Sequence, residues 1–161
     1  MPSKTLLLSL RPEFAKKVFA GTKRVELRRI WPKAAIDDWV LVYVSTPVKA
    51  LVGAFQVSLI MEANLSYLWE KVRHHAGVTR QQFDDYYAGA LKGYGIFLRD
   101  TRTLPNPIEL SLLRELWSDF HPPQCYRYLD SSEIEQLEFF SKTISTRSVF
   151  NCVYDKASER I

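Results

Sequence analysis

The chain has 161 residues, of which 47% are apolar and 25% charged, and a formal charge of +4. That length holds one domain with a sizeable core, and the composition excludes a disordered chain, a low-complexity repeat and a disulfide scaffold on its two cysteines. The charge is uneven: residues 1–60 hold ten Lys and Arg against four Asp and Glu, and the remaining residues hold twelve against fourteen. A basic face that attracts phosphate is one reading of this asymmetry, and a basic solvated surface is the other.

Residues 5–10, TLLLSL, read as a buried strand; the run is far shorter than the roughly 18 apolar residues of a membrane span, and no signal-peptide pattern surrounds it. RPEFAKKVFAG at 11–21 reads as a short helix, with Pro12 in its first turn, an apolar face of Phe14, Val18 and Phe19, and Gly21 at its end. KRVELRR at 23–29 alternates as a strand, with Lys23, Val25 and Leu27 on one face and Arg24, Glu26 and Arg28 on the other. Val25 and Leu27 are therefore expected in the core. A loop leads to Asp37-Asp38, then the apolar strand WVLVYVS at 39–45 and a turn at Thr46-Pro47. ALVGAFQVSLIMEA at 50–63 is a longer strand in which Gly53 marks a bulge or bend.

The middle of the chain is helical. SYLWEKVRHHAG places Leu68 and Val72 four apart and stops at Gly77, and Thr79 then caps TRQQFDDYYAGA, where Phe83, Tyr86 and Tyr87 share a face. GYGIFLRD returns to strand, Pro105 and Pro107 set an extended approach to IELSLLREL, and HPPQCYRYL is another short strand. Residues 131–142 form an amphipathic helix. Alternation on several short strands favours an α+β class: a small mixed or antiparallel barrel with helices packed on its openings and an added C-terminal helical segment. No GxGxxG or GxxxxGK[ST] loop is present, which argues against nucleotide hydrolysis of those types.

Cys125 and Cys152 lack the spacing of a zinc site, and a reduced, cytoplasmic setting fits them. His74 and His75 are adjacent and face about 100° apart on a helix. With His121 distant and no HExxH pattern, neither a metal nor a cofactor is expected. Cys125 is read as a small core residue after PPQ, with no base named beside it.

The stretch LLLSLRPEFAKKVFAGTKRVELRR carries Gly21, Lys23, Glu26 and Arg28 in the spacing Gly-x-Lys-x-x-Glu-x-Arg, and it resembles the opening of ASCH domains, members of the PUA-like superfamily. VYVSTPVKALVGAF, HHAGVTRQQFDDYYAG, GYGIF and HPPQCYRYL are similar to the longer prokaryotic branch of that family, in the same order. The resemblance covers about residues 4–129, and implies an ASCH domain at 1–129 with residues 130–161 as a C-terminal extension packed on it. It further implies a PUA-type β-barrel with a cleft between barrel and helix, where the signature polar residues gather. Relatives of this fold bind RNA or modified bases, and many ASCH proteins are described as RNA-binding regulators. One branch resembles amidohydrolases that remove acetyl from N4-acetylcytidine, with Lys in the Gly-x-Lys position, a Thr three residues later and a distant Glu. Lys23 matches the first, and Glu26 stands where the Thr would be.

Lys23 can pair with phosphate or a base carbonyl, or act in proton transfer if burial lowers its pKa; a solvent-facing lysine at a strand start is the alternative. Glu26 can accept from the exocyclic amine of a base, or simply hold Arg28 in place. Arg29, on the other face, belongs with Trp31 to a basic and aromatic rim for stacking single-stranded bases, or Trp31 belongs to the core. Ser45 and Thr46, at a strand end, offer hydroxyls and backbone N–H groups to a phosphate or base edge, or form a plain turn. By family analogy Arg11 lines the same cleft, and Gln124 and Tyr126 border it.

These readings make the chain a nucleic-acid-binding module with a basic cleft, holding RNA or a single modified or flipped nucleotide among Arg11, Lys23, Glu26, Arg28, Ser45 and Thr46. The alternative is an enzyme on the same cleft, a metal-independent ribonuclease or an amidohydrolase acting on a modified nucleoside, with Lys23 and Glu26 as acid and base. A third reading, a protein-interaction adaptor, places the work on the C-terminal segment. RNA or single-stranded nucleic acid is the expected partner, and no membrane is.

Overall fold

The computed structural model describes residues 4–30 and 33–143. In chain order these form β1 (Thr5–Leu10), α1 (Pro12–Ala20), β2 (Val25–Arg28), β3 (Trp39–Val44), β4 (Ala50–Asn64), α2 (Leu65–Val72), α3 (Arg80–Tyr86), β5 (Lys92–Glu109), α4 (Leu110–Leu116), β6 (Tyr126–Leu129) and α5 (Ser131–Thr143). The strands make one sheet in the order β2-β5-β4-β3-β1-β6. The β1–β3 pair is parallel, because α1 and β2 intervene as a crossover, and the other pairs are antiparallel.

The unbroken apolar run WVLVYV has a direct cause: β3 lies in the middle of the sheet and is covered on both faces. Trp39, Leu41 and Tyr43 pack with Leu7, Leu51, Leu113 and Trp117 on one side, and α5 adds Leu137 to the same cluster. Val40, Val42 and Val44 pack with Leu6, Leu8, Leu10 and, from α1, Ala15 and Val18 on the other. A third cluster joins Val25 and Leu27 of β2 to Leu68 and Val72 of α2 and to Phe83 and Tyr87. Val25 and Leu27 are both buried, as the alternation requires.

The sheet is open rather than closed. Among the described residues β2 pairs only with β5, and β6 only with β1, so the barrel expected from strand alternation is not hydrogen-bonded shut. Register shifts of the kind that bend a sheet locally interrupt the β4–β5 pairing. One falls at Gly53, where an added Cβ would lie 2.2 Å from the Arg102 carbonyl oxygen and 2.8 Å from the Phe19 ring. The strand GYGIFLRD runs on to Glu109 through the extended stretch at Pro105 and Pro107, because the register passes from Thr103 straight to Ile108 and leaves both prolines in an interruption where no ladder N–H is needed. The helix α4 beyond them was not foreseen.

β2 is also shorter than its alternation implied. Lys23 and Arg24 precede it, since the Lys23 N–H is taken by the Lys17 carbonyl (3.0 Å) and the N–H groups of Arg24 and Val25 by the His75 carbonyl (2.6 and 3.2 Å). Among the described residues no helix is long and apolar enough to cross a membrane.

Candidate functional site

Two backbone devices place Lys23. The first is the end of α1, where Gly21 takes the left-handed conformation (φ 81°) and the N–H groups of Thr22 and Lys23 both return to the Lys17 carbonyl at 3.0 Å. The second is the α2–α3 connector, whose carbonyls at residues 75, 76 and 77 all meet this turn. His75 accepts from backbone N–H groups as above, Ala76 accepts from Lys23 Nζ at 2.5 Å, and Gly77 accepts from Lys17 Nζ at 2.7 Å. Gly77 is itself left-handed (φ 65°), and a Cβ there would stand 3.1 Å from Lys23 Cβ.

Held this way, Lys23 swings out of the Val25 row and joins Glu26. Its Nζ lies 3.5 Å from Glu26 Oε2, while Arg28 reaches Oε1 at 3.1 Å. Lys23 is 3% exposed and Glu26 8%. Burial pushes the Lys23 ammonium below its ordinary range, opposed by the charge and hydrogen bond of Glu26. The Phe14 ring centroid lies 5.3 Å from Nζ.

This trio lies along a cleft of about 480 Å³ between the end of β1 and β2, walled by α1 and α3. β1 supplies Ser9 and Leu10, α1 supplies Glu13 and Phe14, and the α3 region supplies Val78, Gln82, Phe83, Asp85 and Tyr86. The cations Arg11, Lys23 and Arg28 are matched in number by the acids Glu13, Glu26 and Asp85. The lining is thus charge-balanced rather than basic, because both helices add an acid that the strand signature does not contain. Two polar atoms of the lining, Ser9 Oγ and Arg28 Nε, are buried without a hydrogen-bond partner. Burial raises the Tyr86 hydroxyl above its ordinary range, with Arg28 opposing. The neighbouring Tyr87 is buried, and its hydroxyl donates to the Arg28 carbonyl at 3.1 Å, which ties α3 to the end of β2. Its ring passes where a Cβ on Gly93 would stand, 2.5 Å away, so the first glycine of GYGIF makes room for it.

Of the residues singled out in the sequence, Arg11, Lys23, Glu26 and Arg28 line the cleft. Ser45 donates its N–H to the Leu10 carbonyl at 2.9 Å, one strand away, and neither it nor the exposed Thr46 belongs to the lining. Arg29 turns to the end of α3, where Nη1 donates to the carbonyls of Tyr86 (2.7 Å) and Ala88 (3.1 Å). Trp31 lies outside the described residues, as does Cys152. Cys125 is exposed instead of core, near enough to Tyr86 to act on its hydroxyl electrostatically. Tyr126 packs half-buried against the β1 cluster. The α3 contribution was missed, although Gln82, Asp85 and Tyr86 stand at i, i+3 and i+4 and so present one polar face. Among the described residues no three of His, Cys, Asp or Glu gather as a metal-ligand group.

Comparison with known proteins gives four findings. The sequence profile of the ASCH domain matches residues 8–99. An ASCH domain-containing ribonuclease of Zymomonas mobilis subsp. mobilis is 34% identical over 134 residues, spanning 83% of this chain and 90% of that protein. The crystal structure of ASCH from Zymomonas mobilis superposes with a TM-score of 0.81 at 34% identity, covering 84% of this chain and 94% of that one. The N-terminal domain of Thermococcus gammatolerans McrB, solved bound to m5C DNA, shares the fold at a TM-score of 0.51 and 11% identity over 89% of this chain and 100% of that one.

Proposed function

The chain belongs to the ASCH domain family, and from that premise we propose that it binds single-stranded RNA, takes one nucleotide into the cleft and cleaves the strand there. The observation that carries the reading is the buried Lys23–Glu26–Arg28 set on the wall of a cleft of nucleotide size. The Zymomonas relative, named a ribonuclease, supports it across most of the chain.

Cleavage by transesterification needs a base for the 2′-hydroxyl and an acid for the leaving 5′ oxygen. Glu26 accepts the 2′ proton as the 2′ oxygen attacks phosphorus. Lys23 gives its proton to the 5′ oxygen as the P–O5′ bond breaks, leaving a 2′,3′-cyclic phosphate and a 5′-hydroxyl. Burial, which makes the Lys23 ammonium a better acid, favours this assignment. The unpartnered Arg28 Nε offers a donor to a non-bridging oxygen as charge grows there.

A second reading, binding and base recognition without cleavage, draws on the balanced charge of the lining, since a carboxylate beside two cations suits a base amine better than a phosphate. Labelled single-stranded RNA, DNA and modified nucleosides, incubated with the protein in magnesium-containing buffer and with chelator, separate the two. A cyclic-phosphate product in either buffer, lost in Lys23→Met and Glu26→Gln, supports cleavage. Tight binding with no product in both buffers overturns it in favour of the second reading.

A further inference from the structure

The charge-balanced cleft holds little of the cation surplus of residues 1–60, and part of that surplus lies behind Lys23. The carbonyl row of residues 75–77 has Lys23 at Ala76 and Lys17 at Gly77, and its His75 carbonyl receives the Arg24 N–H. That hydrogen bonding sets the exposed Arg24 beside the exposed His75, with the exposed His74 and Arg73 next along the chain, and brings Lys17 to the same connector. Glu70 stands 3.8 Å from Arg73, with both side chains about half exposed, which is a weak pairing.

Helix ends account for only part of these charges. Both α1 and α2 finish here with a lysine in the last turn, Lys17 and Lys71. A helix C-terminus carries roughly half a negative charge, so two of them offset about one cation. Lys17, Lys71, Arg24 and Arg73 exceed that, even with Glu70 set against them.

We propose that this surface binds the phosphate backbone of the RNA strand whose nucleotide occupies the cleft. The inference rests on the nucleic-acid reading above and adds a second contact area to it: the cleft takes one nucleotide, and the surface of Lys17, Arg24, Arg73, His74 and His75 holds phosphates that flank it. Lys17 and Lys23, on consecutive carbonyls of one row, make the two areas continuous. The phosphate attraction expected from the composition thus extends beyond the pocket.

The test is a salt series of affinities for a labelled single-stranded RNA, using wild type, Arg24→Glu/Arg73→Glu, the milder Arg24→Ala/Arg73→Ala and, as a cleft control, Glu26→Gln. Loss of two phosphate contacts should flatten the slope of log K against log salt by about 1.4 for a single strand. Both surface variants should bind RNA at least tenfold more weakly at low salt, keep the wild-type base preference and bind a free nucleoside as wild type does. An unchanged slope in both surface variants overturns the proposal. So does wild-type binding to phosphatidylserine vesicles in place of RNA. Failure of the cleft reading looks different, since Glu26→Gln would then leave base preference and cleavage as in wild type while the surface variants still lost affinity.

Discussion

The Lys23 ammonium donates to the Ala76 carbonyl at 2.5 Å, so a residue of the N-terminal strand signature is fastened by the backbone of a connector far along the chain. The same ammonium faces Glu26 Oε2. Removing it leaves a carbonyl without its donor and a buried carboxylate with Arg28 as its remaining ion-pair partner.

Lys23→Met is therefore expected to destabilise the fold by up to about 3–5 kcal/mol, the cost of stranding one member of a buried pair. Lys23→Met/Glu26→Leu should recover part of that loss. Urea unfolding of the wild type and the variants measures it, and a double variant less stable than the single ones combined would refute the coupling.

Burial lowers the Lys23 pKa, and the sign of the pH effect follows. Below the folded pKa the ammonium is charged in both states and its desolvation penalises the fold. Between the folded pKa and the ordinary value of 10.5 the unfolded chain binds more protons, so this penalty is relieved as pH rises through that window. The stability difference between wild type and Lys23→Met should shift in favour of wild type across it. A flat difference would mean that Glu26 cancels the effect of burial.

Glu26→Gln separates base reading from bracing. If Glu26 accepts from a base amine, the variant should lose roughly 1 to 3 kcal/mol of affinity for the preferred base and discriminate less. Tighter but equally unselective binding would show that the negative charge had only been opposing a phosphate.

Ser9→Ala offers a test with little structural cost. The Ser9 hydroxyl has no hydrogen-bond partner in the fold, so its loss should leave the melting temperature within about 2 °C of wild type, consistent with a change well below 1 kcal/mol. RNA affinity should nevertheless fall by roughly tenfold, the worth of about one hydrogen bond at the upper end of the usual range. Unchanged affinity would remove Ser9 from the binding surface.

Local patterns carried much of this architecture. TLLLSL and WVLVYV are strands within a residue of where their apolar runs place them, and Gly21 ends its helix as its lack of a Cβ permits. The side taken by Lys23 was hidden, because carbonyls more than fifty residues away, not the alternation around it, decide where its ammonium goes. The acids Glu13 and Asp85 were hidden for the same kind of reason: each sits on a helix surface that looks merely solvated until the helix is laid over the cleft. Pro105 and Pro107 are extended as read, and an interruption of register lets one strand run through both.

The hydrogen bonds that span 53 residues to Ala76 and 60 to Gly77 also bear on when the site comes into being. A growing or partly folded chain that has its first sheet strands but lacks a docked α2–α3 connector has Lys23 with no carbonyl to hold it, and a cleft with one wall missing. Loop closure of that length is a late, entropically costly step. Ligand affinity is then a property of the finished fold alone. By mass action, an occupant at 100 times its dissociation constant would stabilise the whole molecule against unfolding by about 2.7 kcal/mol.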